Sequence, residues 1–177
     1  MAFEEKTLSS SIVYEGPVFQ IRKHTVSTKS GESIRDIVEH SGGAIMLAVT
    51  KEGKILVERQ YRKALESMFI ELPAGKADPG EDPQTTAVRE LSEETGYIPG
   101  KVEHLVSFYP TCGYSNEYLH IYFCSELTEG EKHLDEDESI DVFAYYPDEL
   151  IEMIRTGEIQ DGKTIIGLLY ARQFGYI

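Results

Sequence analysis

A short segment in the middle of the chain concentrates acidic residues at a spacing that suits a metal site. Glu90, Glu93 and Glu94 are three and four residues apart, so on an α-helix they share one face. Carboxylates this close repel one another unless a cation lies between them. Oxygen ligands favour hard ions, so we predict Mg²⁺ as the cofactor, with Mn²⁺ as the alternative.

The same segment carries the start and stop signals of that helix. Asp82 is a typical N-cap, Pro83 suits the first helical position, and Gly96 is suited to end the helix. Three apolar residues on one side are predicted to pack inward: Ala87, Val88 and Leu91. The three glutamates would then lie on another face, where they are open to a ligand.

Two interpretations of this acidic face compete. Exposed helices often carry glutamates only as a solvated surface, and a bare Glu-x-x-Glu-Glu pattern is more often of that kind. Three more residues favour a metal site here: Gly75, Glu81 and Arg89. We interpret Arg89 as a catalytic-site organiser, because its guanidinium can pair with neighbouring carboxylates. Gly75 follows the short strand-like run 71–74 and marks a position that needs a positive φ or a close approach.

The order of these residues resembles the signature of the Nudix hydrolases. It runs Gly75, five residues, Glu81, seven residues, Arg89-Glu90-Leu91, one residue, Glu93-Glu94, one residue and Gly96. Tyr97 stands at the closing position, where the signature usually has an aliphatic residue. The resemblance implies an α/β/α sandwich with a mixed sheet, whereas composition and periodicity alone support α/β or α+β. It also implies four metal ligands: the carbonyl of Ala74 with Glu90, Glu93 and Glu94.

Motifs on either side resemble the ADP-ribose pyrophosphatase branch of that family. They are Arg-Gln-Tyr-Arg at 59–62, Glu-Leu-Pro-Ala-Gly at 71–75 and Tyr-Ser-Asn-Glu at 114–117. This implies a nucleoside diphosphate sugar as substrate, and ADP-ribose, cleaved to AMP and ribose 5-phosphate, as the first choice. However, Cys112 stands where the branch has a proline. The alternatives are therefore another nucleotide sugar or dinucleotide, or a non-catalytic nucleotide sensor.

The same resemblance implies roles for residues outside the helix. Glu117 would act as the general base that activates water, with Glu93 as its rival. Arg62 and Arg35 would contact phosphate, and Arg59, three residues from Arg62 on a strand, would face the opposite side. Two more residues are assigned to substrate binding: Phe19, by stacking on an adenine, and Glu71.

The pattern along the chain predicts two regions, 1–40 and 41–177. The first is a small antiparallel β-sheet with turns at 15–17 and 30–31, and the resemblance implies that it is exchanged between the subunits of a homodimer. The second is the Nudix hydrolase domain, and its residues 51–53 predict a β-hairpin. We predict these strands and helices: 11–14, 18–27, 33–40, 44–49, 54–60, 102–108, 118–125 and 141–146 as strands, and 148–155 and 163–173 as helices.

Composition narrows the partners and the compartment. The net charge of −14 argues against binding to DNA or RNA, whose backbone requires a basic surface. No apolar run is long enough to span a membrane, and the first residues lack the features of a signal peptide. We expect Cys112 and Cys124 to be free thiols. Free thiols are typical of a reducing compartment, so we expect a cytoplasmic protein. The acidic run 129–138 is interpreted as a solvated loop.

Overall fold

The computed structural model describes residues 4–134 and 138–177, and these residues divide into two units. One unit comprises the chain up to Gly42 together with Phe108–Tyr118. The other comprises Gly43–Ser107 and Leu119–Ile177. The predicted boundary at residue 40 stays a prediction. None of the described helices has the length and apolar content needed to cross a bilayer.

The first unit is built on an antiparallel sheet of three strands. They are β1 (Thr7–Glu15), β2 (Gln20–Thr28) and β3 (Gly31–Glu39), in that spatial order. Both predicted turns are present: the Gly16 N–H donates to the Phe19 carbonyl at 3.1 Å, and Gly31 has a φ of 125°. The segment Phe108–Tyr118 is tied to β3, because the Val38 N–H donates to the Tyr114 carbonyl at 2.8 Å.

The second unit combines a mixed sheet, an antiparallel sheet and three helices. The remaining strands are β4 (Gly43–Ala48), β5 (Ile55–Arg62), β6 (Ser67–Glu71), β7 (Ala74–Lys76), β8 (Tyr97–Ile98), β9 (Lys101–Phe108), β10 (Leu119–Ser125), β11 (Thr128–Glu129) and β12 (Ile140–Tyr145). The helices are α1 (Pro83–Thr95), α2 (Pro147–Thr156) and α3 (Gly162–Gln173). The mixed sheet has the order β7-β4-β10-β9, with β4 parallel to β10 and antiparallel to β7. The antiparallel sheet has the order β12-β5-β6, and β8 pairs with β11.

Strand β4 lies at the centre of the core because both of its faces are covered. Its residues Ala44, Met46 and Ala48 pack in one cluster with Ala87 and Leu91 of α1. On the other face, Gly167 of α3 lies so close to Leu72 and Ile121 that an added Cβ would be 2.8 Å from the Leu72 Cδ1. Helices therefore cover both sides of a mixed sheet, which confirms the predicted sandwich.

Helix α1 begins and ends where the sequence predicts. The Asp82 carboxylate accepts hydrogen bonds from the backbone N–H groups of Gln84 and Thr85 at 3.0 and 3.3 Å. Gly96 ends the helix with a φ of 77°. Ala87 and Leu91 are buried as predicted, whereas Val88 is only half-buried, and the buried side includes Glu94.

The predicted hairpin at 51–53 is wrong in its pairing. A turn is present, since the Thr50 N–H donates to the Lys54 carbonyl at 2.8 Å, but only one bridge, Val49 to Ile55, joins the flanking residues. β4 and β5 then enter different sheets because each finds its main partner elsewhere, in β10 and in β12 and β6. The short strands β6, β7, β8 and β11 were not among the predicted strands. The run 71–74 is not the single short strand that the sequence suggests. β6 ends at Glu71, and β7 begins at Ala74 and includes Gly75.

Candidate active site

The acidic face of α1 lines a cleft of about 520 Å³ in the second unit. The backbone around β7 forms one wall, and His133 and Glu138 contribute to another. The lining residues are Ala74, Gly75, Lys76, Asp78, Arg89, Glu90, Glu93, Glu94, His133 and Glu138. The four predicted metal ligands are therefore brought together in one cleft with the predicted organiser.

Arg89 holds three glutamates through its guanidinium group. Its Nη1 lies 2.8 Å from Glu90 Oε1 and 2.9 Å from Glu93 Oε2. Its Nε and Nη2 form a bidentate pair with Glu81 at 3.1 and 2.9 Å, and Nη2 also donates to the Lys76 carbonyl at 3.2 Å. A planar fork with several donors can hold such a set, and a lysine could not.

Glu81 fixes the outer side of this arrangement. Hydrogen bonds from Arg89 are the main reason that the pKa of Glu81 falls to about 2, despite some opposing desolvation. Its Oε2 also accepts from the Thr86 hydroxyl at 2.8 Å and from the Asp78 N–H at 3.2 Å. Glu81 therefore stays ionised well into the acid range and anchors Arg89.

Glu94 lies deepest in the cleft and lacks a cationic partner. Its side chain is 94% buried, given a relative exposure of 6%, and it accepts one hydrogen bond from the Ala74 N–H at 3.1 Å. Burial raises the pKa of Glu94, and the carboxylates of Glu58 and Glu90 raise it further. Among the described residues no lysine, arginine or histidine forms an ion pair with Glu94. An ionised Glu94 would therefore carry a charge that no side chain of the described residues compensates.

Gly75 is required by a close approach. A Cβ built at this position would lie 1.8 Å from the Cδ of Glu90, so the carboxylate occupies the space of a side chain. The φ of Gly75 is outside the left-handed region. Of the two reasons predicted for this glycine, the close approach is the one observed.

The donor chemistry of the cleft fits a hard divalent ion. Carboxylates and backbone carbonyls supply only oxygen, and a bound cation would stabilise the ionised form of Glu94 that burial disfavours. In residues 4–134 and 138–177 no three acidic, histidine or cysteine side chains converge as a preformed metal centre. Arg89 pairs with Glu90 and Glu93 in this arrangement, so these two carboxylates would turn from Arg89 to bind an ion.

Arg62 and Glu71 lie together in a separate ion cluster. The Arg62 Nε and Nη2 donate to the two carboxylate oxygens of Glu71 at 2.6 and 2.7 Å, and Lys163 pairs with the same carboxylate. Burial opposes ionisation of Glu71, but Arg62 and Lys163 together lower its pKa. Arg59 lies on the opposite side of β5, in a cavity with Met68. This agrees with the alternation expected for residues three apart on a strand.

The other predicted residues belong to the first unit. The Phe19 ring lies 5.7 Å from the ring of Tyr14, and Arg35 forms a bidentate pair with Glu5 at 3.0 and 2.5 Å. The Glu117 N–H donates to the Ser115 hydroxyl at 3.1 Å. The roles assigned to these residues stay predictions, because the substrate would have to displace Glu5 from Arg35 and reach Glu117.

The imidazole of His40 is a neighbour of Glu117. Its Nδ1 lies 3.7 Å from the Glu117 Oε1. The same nitrogen is the acceptor of a hydrogen bond from the Gly42 N–H at 2.9 Å.

Sequence reasoning missed three residues that the structure brings to or near the cleft. Glu58 falls within the predicted strand 54–60, where a charged residue among apolar neighbours is itself a signal of function. His133 and Glu138 line the cleft, and the described residues of the predicted solvated loop 129–138 are mostly exposed. Part of that run, 135–137, lies outside the described residues.

Comparison with known proteins agrees with the fold and the cleft. Residues 40–166 match the NUDIX domain family, and the chain belongs to the Nudix family. The recognition made from the motif is confirmed. The chain is accordingly a pyrophosphatase of this family, a hydrolase that acts on phosphorus-containing anhydrides, and enzymes of this family generally use divalent metal ions.

Two curated relatives and one solved structure are similar over nearly the whole chain. A methanol dehydrogenase activator of Bacillus methanolicus is 41% identical over 95% of this chain and 92% of its own length. An ADP-ribose pyrophosphatase of Bacillus subtilis (strain 168) is 38% identical over 96% of this chain and 93% of its own length. A crystal structure described as an ADP compounds hydrolase superposes with a TM-score of 0.87 at 17% identity, over 98% of this chain and 95% of that chain. The last likeness shows the fold alone.

Substitution of Gly75 tests whether its missing side chain makes room for Glu90. Gly75→Ala should displace the Glu90 carboxylate, because the added Cβ would overlap its Cδ. We expect a loss of hydrolase activity of at least about a hundredfold, since misplaced groups in active sites have effects of that size. The measurement is kcat/KM at saturating divalent ion.

Gly162→Ala serves as the matched control for this substitution. A Cβ at Gly162 would meet nothing within 4 Å, and the residue lies in the first turn of α3 in the same unit. It should retain wild-type kcat/KM. Wild-type activity of Gly75→Ala would contradict the close-approach explanation.

Proposed function

We propose that the protein catalyses Mg²⁺-dependent hydrolysis of ADP-ribose to AMP and ribose 5-phosphate. The observation that carries this proposal is the cleft that Glu90, Glu93 and Glu94 line together, in which Glu94 has no cationic partner among the described residues. An ion bound there would have the negative diphosphate as its natural partner. The choice of ADP-ribose is supported by the flanking motifs and by the B. subtilis relative of that name.

The residues of the cleft would hold the ion and orient the substrate. Glu90, Glu93, Glu94 and the Ala74 carbonyl are the proposed ligands, and Arg89 keeps two of these carboxylates within reach. When bound, Mg²⁺ supplies positive charge that offsets the charge developing on the diphosphate. Arg62 is proposed to contact a phosphate with the guanidinium donors that it does not give to Glu71.

The chemical step is the attack of water on one phosphorus of the diphosphate. Glu117 accepts the proton of that water, a new P–O bond forms, and the anhydride bond breaks to release a phosphomonoester. Most of the acceleration would come from positioning and charge stabilisation, because phosphoryl transfer needs little covalent help from the protein. Glu93 is the alternative base. Its Oε2 is paired with Arg89, and its side chain is partly exposed, so water can reach the carboxylate.

A substrate panel tests the reaction and the metal site together. The wild-type protein should release AMP from ADP-ribose with Mg²⁺ and should be inactive in EDTA. Glu94→Gln should lower kcat by at least about a hundredfold, because it removes the most buried charge of the cleft. Products are identified by chromatography.

The control for Glu94→Gln is Glu66→Gln on the turn between β5 and β6. The Glu66 side chain is 71% exposed and pairs with Lys63, so its replacement should leave kcat unchanged. Full activity of Glu94→Gln would refute the metal assignment. Faster turnover of another nucleotide sugar or a dinucleotide would instead reassign the substrate.

A second candidate function is activation of a partner dehydrogenase. It is favoured by the 41% identity to the B. methanolicus protein, whose name describes a methanol dehydrogenase activator. The assay is methanol dehydrogenase activity with and without this protein and Mg²⁺. An increase that Glu94→Gln abolishes would support activation through the same cleft.

Separate replacement of the two candidate bases, Glu117 and Glu93, by glutamine identifies the residue that accepts the proton from water. Glu117→Gln should lower kcat by about 10²–10⁴-fold, the usual contribution of general base catalysis, while metal affinity stays near the wild-type value. Glu93→Gln should weaken metal binding as well as kcat. Near-full activity of Glu117→Gln would transfer the role of base to Glu93 or to another residue.

We also propose a homodimer in which the N-terminal sheets are exchanged. In support, β1 is exposed along its whole length, with apolar side chains such as Leu8, Ile12 and Ile34 on the three-stranded sheet 46–56% exposed. Such a surface on a small sheet favours association. Phe19 and Arg35 would then serve the partner's site.

Size-exclusion chromatography with light scattering should therefore give a mass of about 40 kDa, twice the 20.0 kDa of the chain. Ile12→Lys should shift the protein toward the monomer, because it places charge in the proposed interface. A wild-type monomer at micromolar concentration would contradict the dimer. The compartment we propose is the cytoplasm, in keeping with the free thiols of Cys112 and Cys124.

A further inference from the structure

Glu58 of β5 is a buried acidic residue that the metal ligands named above leave unexplained. It is 3% exposed, and its Oε1 has no hydrogen-bond partner among the described residues. A buried carboxylate oxygen without a donor is unfavourable, because water no longer solvates it. Such a group in a folded protein therefore points to a partner that is a ligand.

The alternation of β5 brings Glu58 to the side of α1. Leu56, two residues earlier and therefore on the same face of the strand, packs in the cluster that contains Ala87 and Leu91 of α1. Glu94 follows Leu91 by three residues, so it extends the same side of the helix toward the next turn. Glu58 and Glu94 thus lie on the sides of β5 and α1 that contribute to this shared cluster.

The electrostatics agree with this placement. After burial itself, the charge of Glu58 is the largest cause that raises the pKa of Glu94. Burial also raises the pKa of Glu58, and Glu71 and Glu138 add to the increase. The charge of Glu58 therefore destabilises the ionised form of Glu94 in the absence of a cation.

The nearby cationic groups are engaged with other partners. Arg62 donates through Nε and Nη2 to Glu71, and the Lys132 Nζ donates to the Ile140 carbonyl at 2.7 Å. Both lower the pKa of Glu58 through their charge, but neither donates to its Oε1. Among the described residues, no lysine or arginine therefore donates a hydrogen bond to the Glu58 Oε1.

We propose that Glu58 belongs to the divalent-cation site and, with Glu90 and Glu94, increases the affinity of the cleft for the ion. The proposal rests on the proposed function. A hard cation satisfies carboxylate oxygens and removes the repulsion between Glu58 and Glu94 at the same time. Replacement of Glu58 by glutamine, which is neutral and has nearly the same shape, keeps the side-chain volume and removes the charge that Glu58 would contribute to ion binding.

The test is a titration with Mn²⁺, followed by the electron paramagnetic resonance signal of the free ion, without substrate. Glu58→Gln should raise the dissociation constant about tenfold or more, the range seen when groups that support metal ligands are removed. Glu94→Gln should raise it at least as much. Glu66→Gln removes one exposed charge from the turn between β5 and β6 and should leave the dissociation constant unchanged.

The outcomes separate this inference from the proposed function. Wild-type affinity in Glu58→Gln together with lost affinity in Glu94→Gln would overturn the role of Glu58 and leave the metal site intact. No Mn²⁺ binding by the wild-type protein would overturn the proposed function and the inference with it. If Glu58→Gln does not fold, as judged by circular dichroism, Glu58→Met takes its place in the titration, because it fills the volume without a polar atom.

Discussion

Repulsion among buried carboxylates is the constraint on which this structure depends. Glu90, Glu93 and Glu94 are crowded onto one helix, and the fold compensates them only in part, through Arg89. Glu94 has no cationic partner among the residues that the structure describes, and its pKa is raised. Folding and function are coupled here, since the apolar side of α1 must pack on β4 for the acidic residues to be held together.

Much of the fold could be predicted from the sequence because its signals are local. Asp82, Pro83 and Gly96 define α1 through hydrogen bonds and backbone angles that depend on a few neighbouring residues. The β4–β5 hairpin was wrong for the opposite reason. The turn at 51–53 is local, but the sheet that each strand joins is decided by partners far along the chain.

The site was predictable to the extent that it follows from one motif. The spacing within α1 leads to Glu90, Glu93, Glu94 and Arg89, and the cleft contains all four. Glu58 comes from a strand about thirty residues upstream, and no spacing rule relates it to the helix. Its burial and its unpartnered oxygen become visible only when β5 is placed against α1.

The cluster of Arg62, Glu71 and Lys163 has a consequence for the kinetics of substrate encounter. Arg62 and Lys163 share the Glu71 carboxylate, and Asp161 pairs with Lys163 at 3.1 Å, so the cluster has no excess charge on a protein whose net charge is −14. An anionic nucleotide is therefore repelled by the molecule at long range, and the cationic groups of the cluster act on it only at short range. Added electrolyte screens the long-range term first, so moderate ionic strength accelerates association, the reverse of the behaviour of electrostatically steered enzymes.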